Sequence, residues 1–167
     1  MSGKNYAANA GIPPTTYRRR GFLPCGVGEL EKRLIAETGI DRCDINILKT
    51  LNLYSDKDGY NIAAALLADS NNYPGIDIGR FGESISVIRK RKTLDNISIL
   101  AEYEAACEIF RDYYQYEIIE GSLRKTKELI PEEAFRETVA NALIHRVWDV
   151  REQIRVFMFE DRIEVYS

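Results

Sequence analysis

The sequence predicts an α+β fold in which helices and antiparallel hairpins occupy separate stretches of the chain. Three stretches repeat apolar residues at the spacing of an amphipathic helix: 28–38, 96–114 and 131–146. Alternating apolar residues, typical of strands, occur in two pairs of neighbouring segments: 76–81 with 84–88, and 153–159 with 163–166. Strands that follow one another directly favour hairpins over the βαβ alternation of a parallel sheet. A doubly wound parallel sheet would contradict this prediction.

The first half of the chain is predicted to be mostly helical. The helix at 28–38 should end at Gly39, because glycine can adopt the left-handed backbone conformation that closes many helices. A second helix is predicted over 41–51, and the carboxylates and glycine of 56–59 favour a turn. Asn61 then provides an N-cap for a third helix.

The middle of the chain is predicted to form hairpins around the longest helix. The strands 76–81 and 84–88 are joined by a Gly-Glu turn, and the basic run 89–92 leaves the second strand. After the helix at 96–114, the segments 116–119 and 124–129 are predicted to pair with each other.

Charge and composition restrict the functions of the chain. A formal net charge of −3 and a pI near 5.4 argue against electrostatic binding of nucleic acid by the whole chain. Two basic runs, 18–20 and 89–92, could hold a phosphate backbone or could be solvated turns or strand ends. No run of about 18 apolar residues and no signal sequence is present, so we expect a cytoplasmic protein without a membrane partner. The three cysteines are too far apart for a zinc site.

The helix predicted over 131–146 carries the candidate site. Glu137, Asn141 and His145 recur every four residues, a step that drifts by only about 40° around a helix. They therefore share one stripe, while the apolar residues lie roughly opposite and can dock on a core: Phe135, Val139, Ala142 and Leu143. On spacing alone, an ordinary solvated face is the more common explanation of such a stripe.

The order Glu137-x-x-x-Asn141-Ala142-x-x-His145-Arg146 resembles the first ATP-site motif of the GHKL ATPases. The variant is the one found in bacterial proteins with a RecG-related ATP-binding domain. The resemblance implies that Asn141 is a magnesium ligand that bridges to the phosphates of ATP and that Glu137 is the base that activates water. It places His145 and Arg146 near the phosphates or in a structural role.

The resemblance covers roughly residues 27 to 167. It continues through the two strand-like segments after the helix, and upstream it is similar to the connector of bacterial transcriptional regulators with a Schlafen/AlbA-type DNA-binding domain at the N-terminus. It implies an α+β connector at 27–130 and, at 131–167, the first helix and hairpin of a GHKL-like α/β sandwich. The small residues, prolines and arginines of 1–26 predict an extended arm or linker there. DNA would be bound through that N-terminal domain, and we expect residues 1–26 to be too short to form it.

Two further parts of the GHKL site have no counterpart in the sequence. They are an Asp-x-Gly-x-Gly segment for adenine and a glycine-rich lid for the phosphates. We therefore expect a truncated ATP-binding domain that neither binds nor hydrolyses ATP by itself, although a full-length protein could be an ATPase. The uncovered sheet is expected to form a homo-oligomer. The alternative is an interaction or dimerisation module with a vestigial nucleotide face.

Overall fold

The computed structural model describes residues 26–120, 123–147 and 151–167. The architecture is α+β, as the sequence predicts. The arm predicted at 1–26 lies outside the described residues, except for Gly26. The described residues divide into two compact units, the first made of 26–73, 96–101 and 151, and the second of 74–95, 102–147 and 152–167.

The first unit is a small helical bundle with one short hairpin. Its elements are α1 (Gly28–Thr38), α2 (Ile45–Thr50), β1 (Tyr54–Ser55), β2 (Gly59–Tyr60) and α3 (Ile62–Leu67). The apolar faces of these elements share one core: Val27, Leu30, Leu48, Leu53, Tyr60 and Ala64. The turn predicted at 56–59 joins the two short strands.

Hydrogen bonds at both ends define α1. Gly39 has a φ of 72° and its N–H donates to the Ile35 carbonyl at 3.0 Å, so the predicted left-handed end is confirmed. At the other end the Asp69 carboxylate accepts hydrogen bonds from the backbone N–H groups of Gly28, at 2.8 Å, and Glu29, at 3.0 Å. A residue distant in sequence thus satisfies N–H groups that a helix leaves unpaired.

The second helix begins four residues later than predicted, at Ile45 rather than Asp41. Asp44 has an extended backbone and its side chain accepts from the N–H groups of Asn46, at 2.9 Å, and Ile47, at 3.0 Å. An aspartate in that geometry is an N-cap, which stops the helix from extending backwards. The cap predicted at Asn61 is confirmed, since its side chain accepts from the Ala64 N–H at 3.0 Å.

The second unit is a layer of helices packed on a four-stranded sheet. Its elements are β3 (Ile76–Phe81), β4 (Ile88–Leu94), α4 (Ile99–Tyr114, whose first turn belongs to the first unit), β5 (Gln115–Glu120), β6 (Leu123–Glu128), α5 (Glu132–His145), β7 (Ile154–Met158) and β8 (Ile163–Tyr166). The strand order in the sheet is β4-β3-β7-β8. The predicted pairing of β5 with β6 is confirmed as a separate antiparallel hairpin.

The sheet joins segments that the sequence assigned to different domains. β3 is antiparallel to β4 but parallel to β7, in a register that runs from Ile76 opposite Ile154 to Arg80 opposite Met158. The domain boundary expected between residues 130 and 131 therefore does not coincide with the division of the structure into two units. The reason lies in β3, whose residues are buried except for Arg80, so that it needs a neighbouring strand on each side.

The second strand of the first hairpin is also displaced from its prediction. β4 covers 88–94 instead of 84–88, so the basic run 89–92 lies within the strand rather than beyond it. Residues 82–87 form the connecting loop, in which the Gly82 N–H donates to the Val87 carbonyl at 2.8 Å. β4 is an edge strand with only Leu94 buried, and charged side chains are typical of such edges.

Two contacts of α4 fix it in the second unit. α4 buries a regularly spaced stripe that ends in Phe110 and Tyr114, and the Phe110 ring stacks on Phe135 of α5 with centroids 4.5 Å apart. The Tyr114 hydroxyl donates to the carbonyl of Phe159, which follows β7. Every helix in the described ranges is too short or too polar to cross a lipid bilayer.

Candidate functional site

Helix α5 presents the two faces that its sequence predicts. Phe135, Val139, Ala142 and Leu143 are buried. Glu137, Asn141 and His145 are exposed and lie on the opposite side of the helix. The structure therefore brings together three of the four candidate residues.

The polar side chains of the stripe have no bonding partner within the described part of the chain. None of the side chains of Glu137, Asn141 and His145 forms a hydrogen bond or an ion pair with a described residue. A carboxylate, an amide and an imidazole that have no internal partner are available to bind a ligand. The same freedom is typical of a solvated helix face, so exposure by itself does not assign their roles.

A shallow groove runs beside the N-terminal half of the stripe. It is lined by Tyr103, Glu132, Glu133, Arg136, Glu137 and Ala140. Arg136 is fixed in place because its Nε donates to the Tyr103 hydroxyl at 3.0 Å. Glu132 is neutralised by Arg111 at 2.9 Å. Glu137 is therefore a carboxylate of the groove that stays open to an incoming cation.

Arg146 is placed differently from the rest of the predicted site. It follows the last residue of α5, and its guanidinium donates to the Pro74 carbonyl at 2.7 Å and to the Glu152 carbonyl. These carbonyls lie in the segments that lead into β3 and β7, so Arg146 ties together the entries to the two parallel strands. Of the two roles that the motif implies for Arg146, this position favours the structural one.

A buried acidic cluster near those entries was not singled out in the sequence. Glu102 of α4 is only 2% exposed, and burial raises its pKa to about 8. Nearby Asp95 accepts from the Gly75 N–H at 2.8 Å and from the Gln153 side chain at 2.7 Å. One signal could have revealed Glu102, because it stands four residues before Ala106 on the buried stripe of its helix.

The chemistry of the α5 stripe suits magnesium with a bound nucleotide. Magnesium keeps several water ligands and shares the phosphates, so it needs only one or two oxygen ligands from the protein. Asn141 offers a neutral amide oxygen, and Glu137 offers a carboxylate one helical turn away. No group of three or more His, Cys, Asp or Glu side chains that could hold a metal occurs among the described residues. A metal at this stripe would therefore depend on phosphate and water for its other ligands.

Comparisons with known proteins support the fold. No protein-family model matches the chain, and no curated protein matches it. The crystal structure of the DIP2311 protein from Corynebacterium diphtheriae is similar, with a TM-score of 0.67 and 20% sequence identity over 91% of this chain. The match covers 34% of the DIP2311 chain, so this chain spans about a third of that protein. At this level of identity the similarity establishes a shared fold.

Proposed function

We propose that this chain supplies the magnesium-nucleotide face of an ATP-binding, DNA-associated bacterial regulator. The observation that carries the proposal is the stripe on α5, where Glu137, Asn141 and His145 are exposed and unpaired among the described residues while the opposite face of the helix is buried. The order of these residues resembles the first ATP-site motif of the GHKL ATPases. DNA binding rests on that resemblance and would require a further domain.

Each residue of the stripe has a separate role in the proposal. The Asn141 amide oxygen binds the magnesium ion, which neutralises phosphate charge when the nucleotide is bound. The Glu137 carboxylate accepts a proton from the attacking water or orients it, in members that hydrolyse ATP. His145, one turn further along the stripe, would contact the phosphates of a bound nucleotide.

Asn141→Ala is expected to abolish magnesium-dependent ATP binding by the full-length natural protein. The free energy of unfolding should change by less than about 0.5 kcal/mol, because an exposed helix position tolerates alanine. Isothermal titration with ATP, with and without magnesium, measures the first effect, and urea unfolding measures the second.

Asn46→Ala is the matched control for Asn141→Ala. Asn46 is also an exposed helical asparagine, but it lies in α2 of the first unit. We expect it to leave ATP affinity unchanged. If Asn141→Ala binds ATP as tightly as the wild type, the assigned role of Asn141 is wrong.

A second candidate function, self-association, is favoured by the unequal edges of the sheet. Lysines and arginines of β4 protect one edge from pairing. β8 forms the other edge and carries a 53% exposed Tyr166. We propose that two copies of the chain pair through β8.

Tyr166→Lys is expected to shift the chain from dimer to monomer in sedimentation velocity at high protein concentration. A lysine at a sheet edge disfavours pairing with another strand. Ile88→Lys is the control, since Ile88 is an apolar residue of β4 that is 59% exposed. A wild-type chain that stays monomeric at every concentration would exclude this function.

A further inference from the structure

A small cavity in the second unit lies between the sheet and α4, away from the stripe on α5. Its volume is about 50 Å³, and its apolar wall comes from Ile78, Ile109 and Met158. The rest of its lining is polar and mostly cationic: Arg80, Lys90, Lys92, Asp112 and Tyr113. The basic run of β4 thus contributes two lysines to the lining of this partly open cavity.

The cations of the cavity have no ion-pair partner among the described residues. Arg80 and Lys90 are direct partners across β3 and β4, an arrangement of like charges that destabilises a strand pair. No described carboxylate forms an ion pair with Arg80, Lys90 or Lys92. The other two cations of the run are paired, Arg89 with Glu160 at 3.1 Å and Arg91 with Asp77 at 2.6 Å.

Two residues that line the cavity each have a buried polar atom with no acceptor in the described part of the chain. The Arg80 guanidinium lies over the Tyr113 ring, 3.6 Å from its centroid, which fixes both side chains. Among the described residues, neither Arg80 Nε nor the Tyr113 hydroxyl has a hydrogen-bond partner, although both atoms are buried. Both groups can donate, and a buried donor without an acceptor is costly.

We propose that this cavity binds a phosphate group. Arg80 and Tyr113 donate hydrogen bonds to its oxygens inside the cavity, and the exposed Lys90 and Lys92 supply positive charge at its mouth. Arginine suits this ligand because its planar group presents several donors to phosphate oxygens. The cavity is small and partly open, so a phosphate group can enter while an attached organic group extends toward solvent.

The Arg80 Nε–H resonance provides a direct test by nuclear magnetic resonance. Inorganic phosphate should shift it saturably, with a dissociation constant on the order of 1 mM, whereas sodium chloride at equal ionic strength should not. Lys90→Gln with Lys92→Gln should weaken binding about tenfold, since two charges near the anion are lost. Arg89→Gln, which removes the same kind of charge from a paired position, should leave the affinity within about twofold.

Two single-atom changes test the interior of the cavity. Tyr113→Phe removes one donor and should weaken phosphate binding about fivefold. Asp112→Asn removes the carboxylate that repels the anion and should strengthen binding by a similar factor. A gain of affinity is an outcome that a misfolded variant cannot produce.

Adenosine monophosphate is the second probe, and it distinguishes a phosphate ester from free phosphate. Whichever of the two binds more tightly identifies the source of the group, and either result supports the site. Three results would overturn the proposal. They are an Arg80 resonance that phosphate does not shift, an equal loss of phosphate affinity in Arg89→Gln and in the double lysine variant, or no gain of phosphate affinity in Asp112→Asn. Asn141→Ala should leave phosphate binding at this cavity unchanged, which separates this proposal from the nucleotide site on α5.

Discussion

Replacing Gly75 by alanine is expected to lower the free energy of unfolding by about 4 kcal/mol or more, at the upper end of what single substitutions cost. An added Cβ would lie 1.8 Å from the Leu94 carbonyl oxygen and 2.5 Å from a carboxylate oxygen of Glu102. The first of these atoms belongs to the backbone and cannot rotate away. The chain around Gly75 would have to move, in a region where the interior is closely packed.

That movement would also break the hydrogen bonds through which Gly75 fixes the sheet. Its N–H donates to Asp95 at 2.8 Å, and its carbonyl accepts from the Ile154 N–H at 3.0 Å. The second bond joins the entry of β3 to the start of β7. Losing both would weaken the parallel pairing at the centre of the sheet.

Urea unfolding followed by circular dichroism measures this effect, and Gly39→Ala is its control. Gly39 has a positive φ but no atom within 4 Å of the added Cβ, so alanine there should cost only about 1 kcal/mol of backbone strain. A cost at Gly75 no larger than the cost at Gly39 would show that the close approach is not rigid.

Glu102→Gln is expected to make the protein more stable at pH 8 by a few kcal/mol and to change its stability little at pH 4.5. Burial raises the pKa of Glu102 from its usual 4.5 to about 8, nearby Arg146 opposes the shift, and Asp95 adds to it. Between these pH values the folded protein keeps a proton that the unfolded chain releases. Wild-type stability should therefore fall as pH rises, by up to about 1.4 kcal/mol per pH unit, and level off above pH 8. Glutamine has no titrating proton, so the stability of the Glu102→Gln variant should not show this fall with pH.

The measurement for Glu102→Gln is the free energy of unfolding at pH 4.5, 6 and 8. Glu108→Gln is the control, because Glu108 lies in the same helix but is exposed. We expect the free energy of unfolding of the control to change with pH in parallel with that of the wild type. A parallel curve for Glu102→Gln would show that the Glu102 carboxylate is ionised in the folded protein at neutral pH.

Features that depend on nearby residues could be predicted from the sequence. Gly39 ends α1 and Asn61 begins α3 because each acts on the helix beside it. The two faces of α5 follow from spacing within a single helix. The start of α2 is also a local matter, but it depends on the conformation that Asp44 adopts, and several acidic or polar residues in that stretch could have served as the cap.

Features that depend on distant partners could not be predicted in this way. Apolar alternation identifies β3 and β7 as strands, yet it does not say that they pair in parallel with each other. The same limit applies to the side chain of Arg146, since one of its carbonyl partners, Pro74, lies 72 residues away in the sequence. The cavity around Arg80 and Tyr113 likewise forms only when α4 lies over the sheet.

The parallel pairing of β3 with β7 has a consequence for the synthesis of the protein. β3 leaves the ribosome before α4, the β5–β6 hairpin and α5, and its partner on one side is made only after all of them. During that interval a strand rich in isoleucine has one unpaired edge, which is a site for association with other nascent chains. Because this contact is so distant in sequence, closure of the sheet should be a late and slow step of folding. Chaperones would then be most useful to the chain before Ile154 has emerged.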